Sequence, residues 1–213
     1  MENVIKISNE RYPNIILRVL KGHFVTPNSH VNYYIDMAAM KARQSEANAV
    51  AEAIAEQYSS TTIVDTILCL DGCEVIGAYL AEYLAKEGIL SMNAHKSIYI
   101  TVPEFTATGQ MIFRENTKSM IKDKHVLLLL ASATTGKTLA GAIDTIRYYG
   151  GKITGVSAIF SAANSVSGIP IFHLFDTSDI PDYIAYDSNN CKLCQAGKKI
   201  DAICNSFGYS TIN

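Results

Sequence analysis

The 213-residue sequence has no tryptophan, five prolines and an odd number of cysteines, five. It also lacks a long apolar run: no stretch approaches the roughly 18 residues of a membrane-spanning helix. The opening residues MENVIKISNERYPN have charges spread through them, so no signal peptide is expected. With Cys69, Cys73, Cys191, Cys194 and Cys204 unmatched in number, reduced thiols in the cytoplasm are expected rather than a secreted disulfide framework. An excess of one charge is missing too. Eighteen Lys and Arg against 20 Asp and Glu leave a formal net charge of -2, which argues against a nucleic-acid-coating protein. No internal repeat or low-complexity linker divides the chain.

What is present is an ordinary globular composition, 48% hydrophobic and 18% charged, enough for one substantial core. A single domain over residues 1–213 is expected, with the polar, irregular segment 176–213 as a wrapping tail. The spacing of Tyr12, Ile15, Ile16, Val19 and Leu20 predicts an opening helix over 9–22. A Pro-interrupted turn and short extended segment follow at 24–37, then a helix over 45–58. Residues 63–70 read as a strand that meets the Asp71-Gly72 turn. The next helix carries Val75, Ile76, Tyr79, Leu80, Tyr83 and Leu84, with Gly88 as its stop. Strands are expected at 96–102, 125–130, 152–160 and 169–175, with a helix over 138–149 closing at Gly150-Gly151. Strands alternating with helices predict an α/β sheet with right-handed crossovers.

The most telling segment is HVLLLLASATTGKT, His125 to Thr138, an oily strand running into a small, Gly-centred loop. Small side chains let backbone N–H groups converge on an anion, and the following helix aims its positive end there. From Met111 to Lys152 the chain carries seven Lys or Arg against three Asp or Glu, which suits an anionic ligand. The loop nearly fits a nucleoside triphosphatase P-loop, with Ala131 in place of the first Gly. The acidic metal-holding residue such an enzyme needs is not evident after the next strand.

HVLLLLASATTGKTLAGAIDTIRYYGGKITGV resembles the phosphoribosyl-diphosphate-binding segment of the type I phosphoribosyltransferases, with the orotate phosphoribosyltransferases nearest. GHFVTPNSHVNYYIDM, Gly22 to Met37, is similar to the segment that opens those enzymes. The resemblance covers about residues 12–175. It implies a central, mostly parallel sheet flanked by helices, and a small hood from residues 1–40 and late elements. It implies transfer of phosphoribose from phosphoribosyl diphosphate to orotate or another base, with Mg2+, and favours a homodimer; charge and hydropathy argue against nucleic-acid and membrane partners. Ala133, Thr134, Thr135, Gly136, Lys137 and Thr138 would surround the 5-phosphate. Asp71, Gly72 and Cys73 would form the pyrophosphate and magnesium side.

Against that pattern, Leu130 and Ala131 occupy the places of two adjacent acidic residues that engage the ribose hydroxyls. The segment 100–110 has no lysine where the family has a basic mobile lobe, leaving Arg114 and Lys118 as auxiliary cations. Ser161 to Asn164 supply no arginine for an orotate carboxylate. A catalytically impaired, ligand-binding regulatory protein is therefore the alternative to a working transferase. Separately, Cys191 and Cys194 have the spacing of a zinc knuckle or redox pair. Cys204 could add a third Zn2+ ligand and His173 or His125 a fourth; buried or surface thiols are the plain alternative.

Overall fold

Unbroken apolar runs become interior strands only if both faces of the sheet are covered, and this chain covers both. The computed structural model describes residues 4–86, 92–94 and 96–212. Its elements begin with strands β1 (Val4–Ser8), β2 (Ile16–Val25) and β3 (His30–Asp36), then helices α1 (Ala38–Ala42) and α2 (Gln44–Tyr58). Strand β4 (Thr66–Cys69), helix α3 (Glu74–Ala85), strand β5 (Tyr99–Thr101) and a hairpin of β6 (Glu104–Phe105) and β7 (Met111–Ile112) follow. Helix α4 (Glu115–Lys118) leads to β8 (His125–Ala133), α5 (Lys137–Tyr148) and β9 (Lys152–Ser161). The late elements are β10 (Ser165–Val166), β11 (Ile169–Pro170), β12 (Phe172–Asp176), β13 (Ala185–Tyr186), α6 (Lys192–Gln195), β14 (Ala202–Asn205) and β15 (Gly208–Thr211).

The central sheet is parallel, in the order β12-β9-β8-β4-β5. Alternate residues of its inner strands feed two apolar layers. Ile67, Cys69, Leu127, Leu129 and Ala131 pack toward α2 and α3. Leu68, Leu70, Leu128, Leu130 and Ala133 pack toward α5. This two-sided burial explains why 126–131 carries no polar residue.

A second sheet runs β13-β3-β2-β14-β15, with β1 also on β2, so the two ends of the chain share one hood. The helix expected over 9–22 is instead a turn and β2. Its Leu17 and Val19 point inward while Arg18 and Lys21 point out, and pairing with β1 and β3 on either side favours the period of two. The segment after 176 is more ordered than a wrapping tail, contributing β13, α6, β14 and β15. Strand β8 extends to Ala133, beyond the expected end at 130. The stop expected at Gly88 lies outside the described residues.

Candidate functional site

In chain order the central strands stand 2-1-3-4-5, so the winding direction reverses between β4 and β8. At such a reversal the two crossovers depart to opposite faces and leave a crevice beyond the carboxyl ends of the strands, where doubly wound sheets bind ligands. The loops expected to bind a ligand, 71–73 and 134–138, leave β4 and β8 at this point.

After β8 the chain turns through Thr134, Thr135 and Gly136 into α5. Gly136 sits at the helix N-cap with φ +71°, the left-handed region where a Cβ is strained, and no side chain caps the helix among the described residues. The first N–H groups of α5 are therefore free for an anion. They border a depression of about 40 Å³ formed by Ala133 to Thr138 with Asn28, Leu130, Ser132 and Leu139. Lys137 and Thr135 are exposed; Thr134 is half-buried.

Next to this depression is a cavity of about 310 Å³, and Asn28, Ser132, Thr134 and Thr138 line both. Its other walls are Tyr33 and Tyr34 of β3, Lys41 of α1, Asp71 and Ala131 at the sheet, and Asn205 to Gly208 between β14 and β15. A small depression thus opens into a larger chamber roofed by the hood.

Asp71 has φ +56° and Gly72 φ +78°, a sharp left-handed turn that swings the Asp71 carboxylate toward the backbone N–H groups of Ala131 and Ser132. Lys41 Nζ donates to the Asp71 carbonyl at 2.7 Å and to that of Ser206 at 2.6 Å. Burial pushes the Asp71 carboxyl above its ordinary value, although the Lys41 charge and the two backbone donors oppose it. Cys73, expected on this side, turns its thiol into the core, where burial raises it well above the ordinary value. It contributes no nucleophile or ligand to the cavity.

Leu130 and Ala131 alternate across β8, so Leu130 borders the smaller depression and Ala131 the larger cavity, both buried. Neither side chain accepts a hydrogen bond. Ser161 Oγ donates to the Ala163 carbonyl at 2.6 Å, closing the turn after β9 on itself. The auxiliary cations do not line either space. Arg114 pairs with Glu104 across the exposed β6–β7 hairpin, its Nε 2.6 Å from Oε2, and that bond holds the Glu104 carboxyl below its usual range. Lys118 pairs with Glu115.

Cys204 is not with the other two tail cysteines. It lies buried on β14 against Phe24, Leu20 and Val31, where burial pushes its thiol up to about 11. His125 is held by Asp65 at 2.7 Å, and His173 sits on β12, paired beside Ala158. Cys191 and Cys194 instead meet His23 and His30.

Sequence reasoning missed Lys41 and the 205–208 wall, which carried no motif and reach the cavity only through long-range packing. Asn28 lies inside the 22–37 segment, where no local pattern sets it apart from its neighbours.

No protein-family model matches the chain. It is 23% identical over 185 residues to the orotate phosphoribosyltransferase of Chlorobium phaeobacteroides, covering 86% of this chain and 88% of that relative. Among solved structures, it matches Mycobacterium tuberculosis H37Rv orotate phosphoribosyltransferase in complex with Fe(III) dicitrate with a TM-score of 0.54 and 15% identity, over 78% of this chain and 93% of that one. Adenine phosphoribosyltransferase from Thermoanaerobacter pseudethanolicus gives 0.52 and 13%, over 81% and 95%.

Proposed function

We propose, on the premise that this chain is a phosphoribosyltransferase-family protein of the type I fold with orotate phosphoribosyltransferases as its sequence relatives, that it binds phosphoribosyl diphosphate and transfers the phosphoribosyl group to a nucleobase. The carrying observation is the uncapped start of α5 and its phosphate-sized depression opening into the 310 Å³ cavity. The N–H groups and hydroxyls of 134–138 hold the 5-phosphate, and the ribose and base extend under the hood. In the reaction the ribose C1–O bond to pyrophosphate breaks, a C1–N bond to the base forms as that nitrogen gives up its proton to solvent, and pyrophosphate leaves.

Magnesium fits the donor set, because Asp71 lines the cavity and its carboxylate has lone pairs beyond those taken by two backbone N–H groups. Asp71 is the residue that would hold it, together with the ligand's own phosphate oxygens. Bound there, the ion would offset the charge of the departing pyrophosphate. Lys41 is the one cation among the described residues lining the cavity, and two carbonyls already engage it. An uncharged base suits this lining better than orotate, whose carboxylate would lack a dedicated arginine. The exposed apolar row of Tyr99, Ile100, Val102 and Phe105 supports a homodimer within this reading. We place the protein in the cytoplasm.

A specific observation favours the second reading, a ligand-binding regulator without turnover. Leu130 and Ala131 offer no carboxylate to the ribose, and a lost charge-assisted contact typically costs about 1.5–3 kcal/mol. Pyrophosphate release measured across orotate, uracil and purines separates the two. Base-dependent release, abolished by changing Thr135 and Gly136, supports transfer. Calorimetric binding of phosphoribosyl diphosphate without release supports the regulator, and no binding at millimolar ligand defeats both.

A further inference from the structure

The tail carries a second constellation, remote in sequence from the cavity residues of the central sheet. Its geometry begins with a β-bulge. Lys21 pairs with Tyr33 and Phe24 with Val31, so Gly22 and His23 together face Asn32. Gly22 is needed there, since a Cβ would stand 2.8 Å from both Asp201 Oδ2 and the Phe24 ring. The bulge leaves the His23 ring fully buried beside His30 of β3. Onto these rings folds the turn Cys191-Lys-Leu-Cys194, reversed at Gly197 with φ +70°.

Four ligand atoms converge. His23 Nε2 and His30 Nδ1 are 3.1 Å apart. His23 Nε2 is 3.6 Å from both Cys191 Sγ and Cys194 Sγ, and Cys194 Sγ is 3.4 Å from His30 Nδ1. All lie within 4.8 Å of one another. A tetrahedral ion with metal–N bonds of about 2.0–2.1 Å and metal–S bonds of about 2.3 Å sets its ligands roughly 3.3 Å apart for N–N and roughly 3.5 Å for N–S. The four edges given above lie close to these values.

Hydrogen bonding alone accounts poorly for the cluster. His23 Nδ1 lies 2.9 Å from the Lys198 carbonyl, so it donates there and leaves Nε2 with one in-plane lone pair. Three groups crowd that lone pair, and it can accept well from only one. A cation at the common centre uses it once and takes a lone pair from each neighbour. The Lys198 carbonyl then fixes the tautomer and ring orientation, as partners behind metal-bound histidines do. Two thiolates and two neutral imidazoles also balance a divalent ion, which suits a site with three buried members.

We propose that His23, His30, Cys191 and Cys194 form a closed structural zinc site that fastens the C-terminal segment to the hood. Its consequence runs along the chain. The His23 N–H donates to Asp201 Oδ2 at 2.7 Å, and the Asp201 N–H to the His23 carbonyl at 2.8 Å. Strand β14 then pairs parallel with β2 through Ala202 and Ile203, delivering Asn205 to Gly208 to the cavity wall. The zinc therefore organises one wall of the ligand chamber without touching the ligand.

Native mass spectrometry of the full-length reduced chain, with and without chelator, tests this directly. One zinc per chain is expected, retained by Cys204→Ser and lost from Cys194→Ser and His30→Asn. Cobalt(II) added to the chelated wild-type chain should give a tetrahedral spectrum with thiolate charge transfer, which reads the site without any substitution. A folded chain that takes up no equimolar zinc or cobalt overturns the assignment. So does a Cys191–Cys194 disulfide in freshly prepared protein, or metal that survives His30→Asn but not Cys204→Ser.

Discussion

The ammonium of Lys41 donates to the carbonyl of Asp71 at 2.7 Å, joining helix α1 to the left-handed turn that ends β4. The same nitrogen holds Ser206, so one side chain ties three segments of the cavity wall together. Removing it frees two carbonyls and withdraws the positive charge beside a buried carboxyl. Lys41→Ala should lower stability by about 1–3 kcal/mol and weaken phosphoribosyl diphosphate binding about tenfold. Denaturant unfolding and calorimetry check the two effects, and unchanged affinity would remove Lys41 from the site.

Asp71 sets stability against function. Its folded value is raised, so between the ordinary carboxylate value and the raised one the native state holds a proton that the unfolded chain has released. Ionisation of Asp71 thus opposes folding as pH rises through that window, and the penalty is absent below the ordinary value. Asp71→Asn cannot ionise and should unfold at the same or a higher temperature at pH 7. It should also lose the magnesium dependence of phosphoribosyl diphosphate binding. A variant that keeps that dependence would place the metal elsewhere.

At Gly136 an added Cβ meets only Val166 Cγ2 at 3.5 Å, an ordinary contact, so the backbone and not a clash decides the outcome. Holding alanine at φ +71° costs about 1–2 kcal/mol and pulls the α5 N–H groups off their common focus. Gly136→Ala should remain folded in circular dichroism while losing at least about tenfold in affinity for inorganic phosphate or phosphoribosyl diphosphate.

Asp65 behaves in the opposite sense to Asp71. Burial alone would raise it, but the backbone N–H of His125 at 2.9 Å, the ring Nδ1 at 2.7 Å and nearby Lys96 outweigh burial and lower it. A lowered carboxylate stabilises the fold above its ordinary value of about 3.9, and the contribution is lost as pH falls through the folded value. Asp65→Asn should cost about 1.5–3 kcal/mol at pH 7, with the gap from wild type narrowing below about pH 4 in urea titrations.

By itself the sequence pointed to the parallel sheet, because six successive apolar residues at 126–131 suit a strand covered on both faces. It also marked the turn between β8 and α5, whose small residues and Gly136 are a local requirement of its geometry. Local pattern failed at 9–22, where apolar spacing fits a helix and pairing partners distant in sequence impose a strand. Tertiary structure alone decided which residues meet. Lys41 reached Asp71, and Cys191 and Cys194 found His23 and His30 rather than Cys204, because a β-bulge and a parallel pairing bring together segments about 170 residues apart. Spacing along the chain records bond geometry over a few residues; it carries no measure of distance across a fold.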